Sequence, residues 1–340
     1  MDSDHHLDRR RLLGAAAVAV GATAVGASAV TGPPAAAAER AATAFGPLRR
    51  IAAGELDVGY VEQGPAHGRP VVLLHGFPYD IHSYVDVAPL LARRGYRVIV
   101  PYLRGHGTTT FRSRTDPRSA EQVAFALDVL ALMDALGIGR AVLAGYDWGS
   151  RTADIIAALW PERCRALVSV SGYLVTNLAV NREPLPPAAE NAWWYQYYFA
   201  TERGALGLAR YRHDLGRFIW SFNSPTWRFT PAVYDRTAAS FENPDWVTVV
   251  LGNYRWRLGL AASDPRYADA EARLQQAPVI GVPTITIDGA HDPFTPAGNG
   301  AGYRARFSGR YEHRTLDVGH NVPQEAPAAF ARAVLDADRL

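Results

Sequence analysis

The sequence predicts an α/β fold: a doubly wound, mostly parallel sheet with an inserted helical cap domain. Three observations predict it. Short continuous apolar runs recur from about Leu48 onward, as expected of strands buried on both faces. Stretches of helical period separate those runs, and strands alternating with helices build parallel sheets. The alternation then stops between about Tyr173 and Arg273, an aromatic-rich segment of helical period that holds six of the eight tryptophans, and resumes afterwards.

In chain order, Ile51–Glu62 reads as a hairpin. Val71–Leu74 (VVLL) is the first buried strand and ends at His75-Gly76. Arg97–Pro101 (RVIVP), Ala141–Gly145 (AVLAG) and Ala166–Val170 (ALVSV) follow as further strands. Helices are expected between them at about Val85–Arg94, Ala120–Leu136 and Gly149–Trp160. After the interruption come a strand at Val282–Ile287, a helix near Tyr303, a strand at Arg314–Val318 and a closing helix at about Ala326–Leu335. The expected division is therefore a core over 45–172 and 274–340 and a cap over 173–273.

The first residues read as a leader rather than as fold. Asp8-Arg9-Arg10-Arg11-Leu12-Leu13 precedes a Gly/Ala/Val run from Gly14 to Val30. Charged-then-apolar order marks a secretory signal, and the paired arginines resemble the twin-arginine type. Small residues from Ala35 to Ala38 offer a cleavage site, so a signal over 1–38 and a mature chain from near Glu39 are expected, secreted or extracytoplasmic. A retained N-terminal anchor is the alternative, disfavoured because alanine and glycine are weak membrane formers.

Composition excludes several chemistries. Apolar residues make up 48% and charged residues 20% of the 340, which suits a packed domain rather than a disordered chain. All 35 basic residues are arginine, so Schiff-base chemistry, pyridoxal phosphate anchoring and a Walker P-loop are ruled out for want of an ε-amine. The net charge of +2 comes with scattered arginines, which argues against a nucleic-acid partner. A single cysteine, Cys164, excludes an intramolecular disulfide and CxxC-type sites, and no histidine spacing suggests a metal. No cofactor is expected.

One constellation carries chemistry. In Gly145-Tyr146-Asp147-Trp148-Gly149, between a strand and a helix, flanking glycines permit a tight elbow that exposes the central side chain. Serine is the usual occupant; here it is Asp147, a carboxylate already ionised at neutral pH and suited to attack carbon. The plain alternative is an N-cap aspartate opening the next helix. His75-Gly76-Phe77-Pro78 follows the first central strand, where the amides of Phe77 and Trp148 can bind an oxyanion. His320 lies in Val318-Gly319-His320-Asn321 after the last strand. Asp292, in Gly289-Ala290-His291-Asp292-Pro293, is placed to hold its imidazole, with Asp288 as the rival acid. Ser150 sits three residues into the helix, a poor position for a serine esterase. The order nucleophile, acid, histidine is that of α/β-hydrolases.

From about Leu48 to the C-terminus the chain resembles the α/β-hydrolase family, in the branch with an aspartate nucleophile that contains epoxide hydrolases and haloalkane dehalogenases. HGFP, GYDWG, GAHDP and VGHN carry the resemblance. The loop Tyr102-Leu103-Arg104-Gly105-His106-Gly107 departs from it, since the family usually has aspartate where Tyr102 stands. The resemblance implies an ester on Asp147, hydrolysed by water that His320 activates, with Asp292 orienting the imidazole. An opened epoxide leaves an alkoxide that needs a proton donor, whereas a halide needs two N–H donors. Trp148 suits either, but Phe77 after HG cannot donate through its side chain. In the cap, Tyr254 within Asn253–Arg257 (NYRWR) looks like the second cap tyrosine of epoxide hydrolases. The first donor falls within Trp193–Phe199 (WWYQYYF), and Trp193 and Trp194 resemble a tryptophan-pair variant. Trp193, Trp194 and Tyr254 are therefore the expected oxirane donors, although such a stripe can also be plain helix core. The expectation is a cofactor-free epoxide hydrolase whose partners are a small apolar or aromatic epoxide and water. A haloalkane dehalogenase and a non-catalytic small-molecule-binding protein of the same fold are the alternatives.

Overall fold

A computed structural model describes residues 45–340, so the expected signal over 1–38 lies outside the described residues. Nine strands form one sheet: β1 (Arg49–Ala53), β2 (Leu56–Gln63), β3 (Arg69–Leu74), β4 (Tyr96–Pro101), β5 (Thr110–Phe111), β6 (Ala141–Gly145), β7 (Cys164–Val170), β8 (Thr284–Gly289) and β9 (Tyr311–Leu316). Their order is β1-β2-β4-β3-β6-β7-β8-β9, with the short β5 paired to β2. β1, β2 and β5 pair antiparallel; from β4 to β9 every pairing is parallel. The central strands explain their own sequences. Val71–Leu74 and Ala141–Ala144 are fully buried, because helices cover both faces and leave no side that tolerates a polar residue.

The helices are α1 (Val87–Ala92), α2 (Gln122–Ala135), α3 (Trp148–Leu159), α4 (Pro187–Ala192), α5 (Trp194–Ala200), α6 (Glu202–Asn223), α7 (Pro231–Ala238), α8 (Trp246–Arg257), α9 (Ala268–Gln275), α10 (Ala301–Arg304), α11 (Val322–Glu325) and α12 (Pro327–Ala337). None among the described residues is long and apolar enough to cross a membrane. Helices α4 to α8 form the insertion between β7 and β8. It meets the carboxyl edge of the sheet, where the Trp220 indole donates to the Pro78 carbonyl at 2.8 Å.

One boundary differs from the sequence reading, for a reason of packing. Helix α9 lies inside the segment expected to be cap, yet it belongs with the core. Glu271 accepts hydrogen bonds from the Gln122 side chain and the Val123 amide at the start of α2, and Arg273 donates to the Leu159 carbonyl in α3. The loop that carries Tyr102 is held without the missing aspartate. Arg104, buried, reaches Asp128 through Nε at 2.6 Å and Nη2 at 2.7 Å, and Glu55 at 2.8 Å.

Helix α3 also buries a carboxyl group that the site does not use. Asp154 Oδ2 accepts the Leu174 amide at 2.8 Å, while Oδ1 has no partner among the described residues. Burial pushes its pKa up to about 8. The unfolded chain titrates near the ordinary value of about 4. The protonated form is thus favoured by folding, and that stability is full below about pH 4 and lost as pH rises through about 8. Asp154→Asn, which keeps the acceptor and cannot ionise, is expected to gain about 2–3 kcal/mol on the wild type between pH 5 and pH 8. Urea unfolding at the two pH values measures it; parallel pH profiles would show that the group does not titrate in this range.

Candidate active site

Strand β6 ends and α3 begins at Asp147, whose φ of 53° places a non-glycine residue in the left-handed region. The turn closes this tightly because its neighbours have no side chain. A Cβ on Gly149 would lie 1.9 Å from the Leu74 carbonyl oxygen, and one on Gly76 would lie 2.3 Å from Asp147 Oδ1. Asp147 makes no capping hydrogen bond to α3, so it does not act as a helix N-cap. Instead the Phe77 amide donates to Oδ1 at 2.6 Å, and the Trp148 amide draws on the same carboxylate.

The remaining polar groups converge from separate strand ends. His320, after β9, points Nε2 at Asp147 Oδ2, 3.5 Å away. Its Nδ1 lies 2.7 Å from Asp292 Oδ2, and Asp292 Oδ1 accepts the Phe294 amide at 2.9 Å. The rival acid is engaged elsewhere: Asp288 accepts from the Tyr303 hydroxyl at 2.8 Å and the Gly298 amide at 3.2 Å. Burial opposes charge on His320, but Asp292 and Asp147 outweigh it and push the pKa up to about 10. Burial would likewise raise the Asp147 carboxyl. The imidazole and the two amides outweigh that as well and hold it below its ordinary value. The resting site is therefore an imidazolium between two carboxylates.

Sequence reasoning missed the clamp on this imidazole. The His320 amide donates to the Asn223 carbonyl at 3.1 Å and to Ser224 Oγ at 3.2 Å, at the end of cap helix α6. Glu325 in turn accepts from Ser224 Oγ at 2.6 Å and from the Gly319 amide at 2.9 Å. No motif marks Asn223-Ser224, because their role exists only once cap and core meet.

The cap presents aromatic residues to Phe77, and here the structure redistributes the expected donors. Tyr254 is fully buried, its ring 5.4 Å from Phe77 and 5.7 Å from Trp148. Its neighbour is Tyr195, ring centroids 5.4 Å apart and edge-to-face, which also reaches Phe77 at 6.2 Å. Burial raises both phenols well above the ordinary tyrosine value, and the charge on Asp147 adds to it, so both are protonated donors. Trp194 is not brought to the carboxylate: it packs on Tyr198 and Phe218 at 5.9 Å each, on the outer side of the cap. Trp193 packs tilted, at 4.5 Å, on Phe294, whose ring meets His320 at 5.3 Å, so it borders the site behind Phe294. Successive residues on a helix point about 100° apart, and α5 turns Tyr195 inward where Trp194 points out.

Comparison with known proteins agrees with this architecture. The profile of the alpha/beta hydrolase fold family matches residues 69–327. Epoxide hydrolase B of Mycobacterium tuberculosis (strain ATCC 25618 / H37Rv) is 36% identical over 342 aligned positions, covering 81% of this chain and 91% of the relative. A crystal structure of a candidate epoxide hydrolase from Klebsiella pneumoniae subsp. pneumoniae MGH 78578 shares 55% identity with a TM-score of 0.86, covering 88% of this chain and 99% of that one. A haloalkane dehalogenase of Mycobacterium marinum is 35% identical over 122 positions, 36% of this chain and 40% of the relative.

Proposed function

Because the chain belongs to the α/β-hydrolase fold family and is a hydrolase related to epoxide hydrolases, we propose that it opens an oxirane to a vicinal diol through an ester on Asp147. The observation that carries this is the difference between the two carboxylate oxygens. Oδ1 is pinned by the Phe77 amide, whereas Oδ2 faces His320, with two protonated phenols across Phe77.

In the first step Oδ2 attacks an oxirane carbon, the carbon–oxygen bond breaks, and the alkoxide takes a proton from the Tyr195–Tyr254 pair. Asp147 is now a neutral ester, and its pull on the imidazolium is gone. Burial then opposes the charge on His320 with only Asp292 against it, so the imidazolium gives up its proton and the tyrosine regains one. In the second step water adds to the Asp147 Cγ while His320 takes its proton. Oδ1 becomes the oxyanion, already met by the Phe77 amide, with the Trp148 amide drawing on the same carboxyl group. Collapse breaks the Cγ–Oδ2 bond, the imidazolium protonates the leaving oxygen, and the diol departs with Oδ2. The haloalkane alternative would use the Trp148 indole, whose Nε1 is buried without a partner among the described residues. A second side-chain N–H donor beside it is lacking at Phe77.

A single turnover in ¹⁸O-labelled water tests the sequence of steps. The first diol should be unlabelled and the label should appear in the peptide containing Asp147; later turnovers should carry it into product. Label in the first diol would mean direct attack by water.

A further inference from the structure

Two guanidinium groups lie near Tyr254 without a carboxylate partner among the described residues. Arg257, the last residue of α8, has its Cζ 5.8 Å from the Tyr254 ring centroid and 5.5 Å from that of Trp193. Its Nε is buried with no hydrogen-bond partner, and the side chain makes no ion pair among the described residues. Arg151, in the second turn of the elbow helix α3, is 5% exposed and lies 5.9 Å from the Trp148 ring. Its one side-chain hydrogen bond among the described residues goes to Asn253 Oδ1 at 3.2 Å. The contrast with Arg104, equally buried but bound to Asp128 and Glu55, is direct. An unpaired buried guanidinium such as that of Arg151 is costly, and the half-buried Arg257 nearby adds repulsion. Burial and the charge of Arg257 together push Arg151 down to about 10.

The charge of such a pair is compensated when an anion binds beside it. The Asp147 carboxylate does not serve, since its oxygens are committed to the amides and to His320. Arg257, however, also lines a cap cavity of about 500 Å³ together with Trp193, Gln196, Leu185 and Glu190. Glu190 accepts there from the Leu185 amide and the Tyr197 hydroxyl, Arg182 and Glu183 are exposed at the rim, and neither glutamate pairs with Arg257 among the described residues, so Arg257 is the cation without an ion pair on the Tyr254 side. The room is for a substituent rather than for a single alkoxide oxygen, which the two phenols already meet. We propose that the substrate is an epoxide bearing a carboxylate, which Arg257 binds in this cavity with Arg151 reinforcing the positive potential behind Tyr254. The inference rests on the reading of the site as one that opens oxiranes.

Paired substrates test it: 3-phenylglycidate and 4-oxiranylbenzoate, each against its methyl ester, with styrene oxide as a neutral reference. The wild type is expected to favour at least one carboxylate over its ester by about 10-fold or more in kcat/KM, mostly through KM. Arg257→Gln should lower kcat/KM for that carboxylate about 30-fold more than for the ester, with Arg257→Lys between the two. Equal losses on both members of a pair would mean that the arginines only support the alkoxide, and would overturn the inference. So would a wild-type preference for the esters, a comparison that needs no variant to fold. Turnover of styrene oxide and the esters alone overturns this inference and leaves the epoxide reading standing; turnover of none of the five overturns both.

Discussion

His320→Gln enzyme exposed to an epoxide is expected to retain one substrate molecule as an ester on Asp147. The alkylation step uses Asp147 Oδ2, which needs no base because the carboxylate is ionised; its partner oxygen is already held by the Phe77 amide at 2.6 Å. Hydrolysis of that ester needs a group to deprotonate water, and among the described residues the imidazole 3.5 Å from Oδ2 is the one in place. Loss of a positioned general base lowers the step it serves by about 10²–10⁴-fold, so kcat should fall by that factor while one equivalent reacts quickly. Intact-mass spectrometry should find the protein heavier by one substrate, and digestion should locate the addition at Asp147. An inactive variant that never gains mass would place the block before the ester, or show that there is none. Asp292→Asn supports the same logic with a smaller effect, because it removes the group 2.7 Å from Nδ1 and not the base itself.

The second large effect concerns the cap. Tyr195→Phe and Tyr254→Phe are each expected to slow alkylation by about 10–10³-fold, and the double variant by about 10⁴-fold, since a developing alkoxide would then meet no phenol. Trp194→Phe should stay within about twofold of the wild type, because Trp194 packs on Phe218 and Tyr198. Stopped-flow quenching of tryptophan fluorescence follows alkylation directly. If Trp194→Phe slowed alkylation as much as Tyr195→Phe does, the assignment of Tyr195 would be wrong. Trp193→Phe should change KM more than the chemical step, given its contact with Phe294 and its place in the wall of the cavity beside Arg257.

Much of the site was legible because each piece is a local pattern at a strand end. An apolar run followed by a turn residue needs nothing distant to be recognised, and a parallel sheet gathers such turns along one edge. Asp147, His75-Gly76-Phe77 and His320 were placed this way. The acid was harder, since Asp288 and Asp292 lie four residues apart around one turn. What separates them is Tyr303, from a later helix, which captures Asp288 at 2.8 Å and leaves Asp292 to the imidazole. Helix α9 read as cap because its period is helical like its neighbours'. Its attachment to the core depends on Glu271 meeting α2 across 148 residues of chain.

By itself the sequence determined the sheet, the interruption and the order of the polar groups, because all of these follow from short-range period and turn chemistry. Only the tertiary structure decided which cap aromatic faces Asp147, which acid reaches His320, and that Asn223 and Ser224 fasten that histidine. These depend on the rotation of helices about their axes and on contacts between distant segments. A linear pattern does not encode either one, since neighbouring helical residues of similar chemistry compete for the same inward direction.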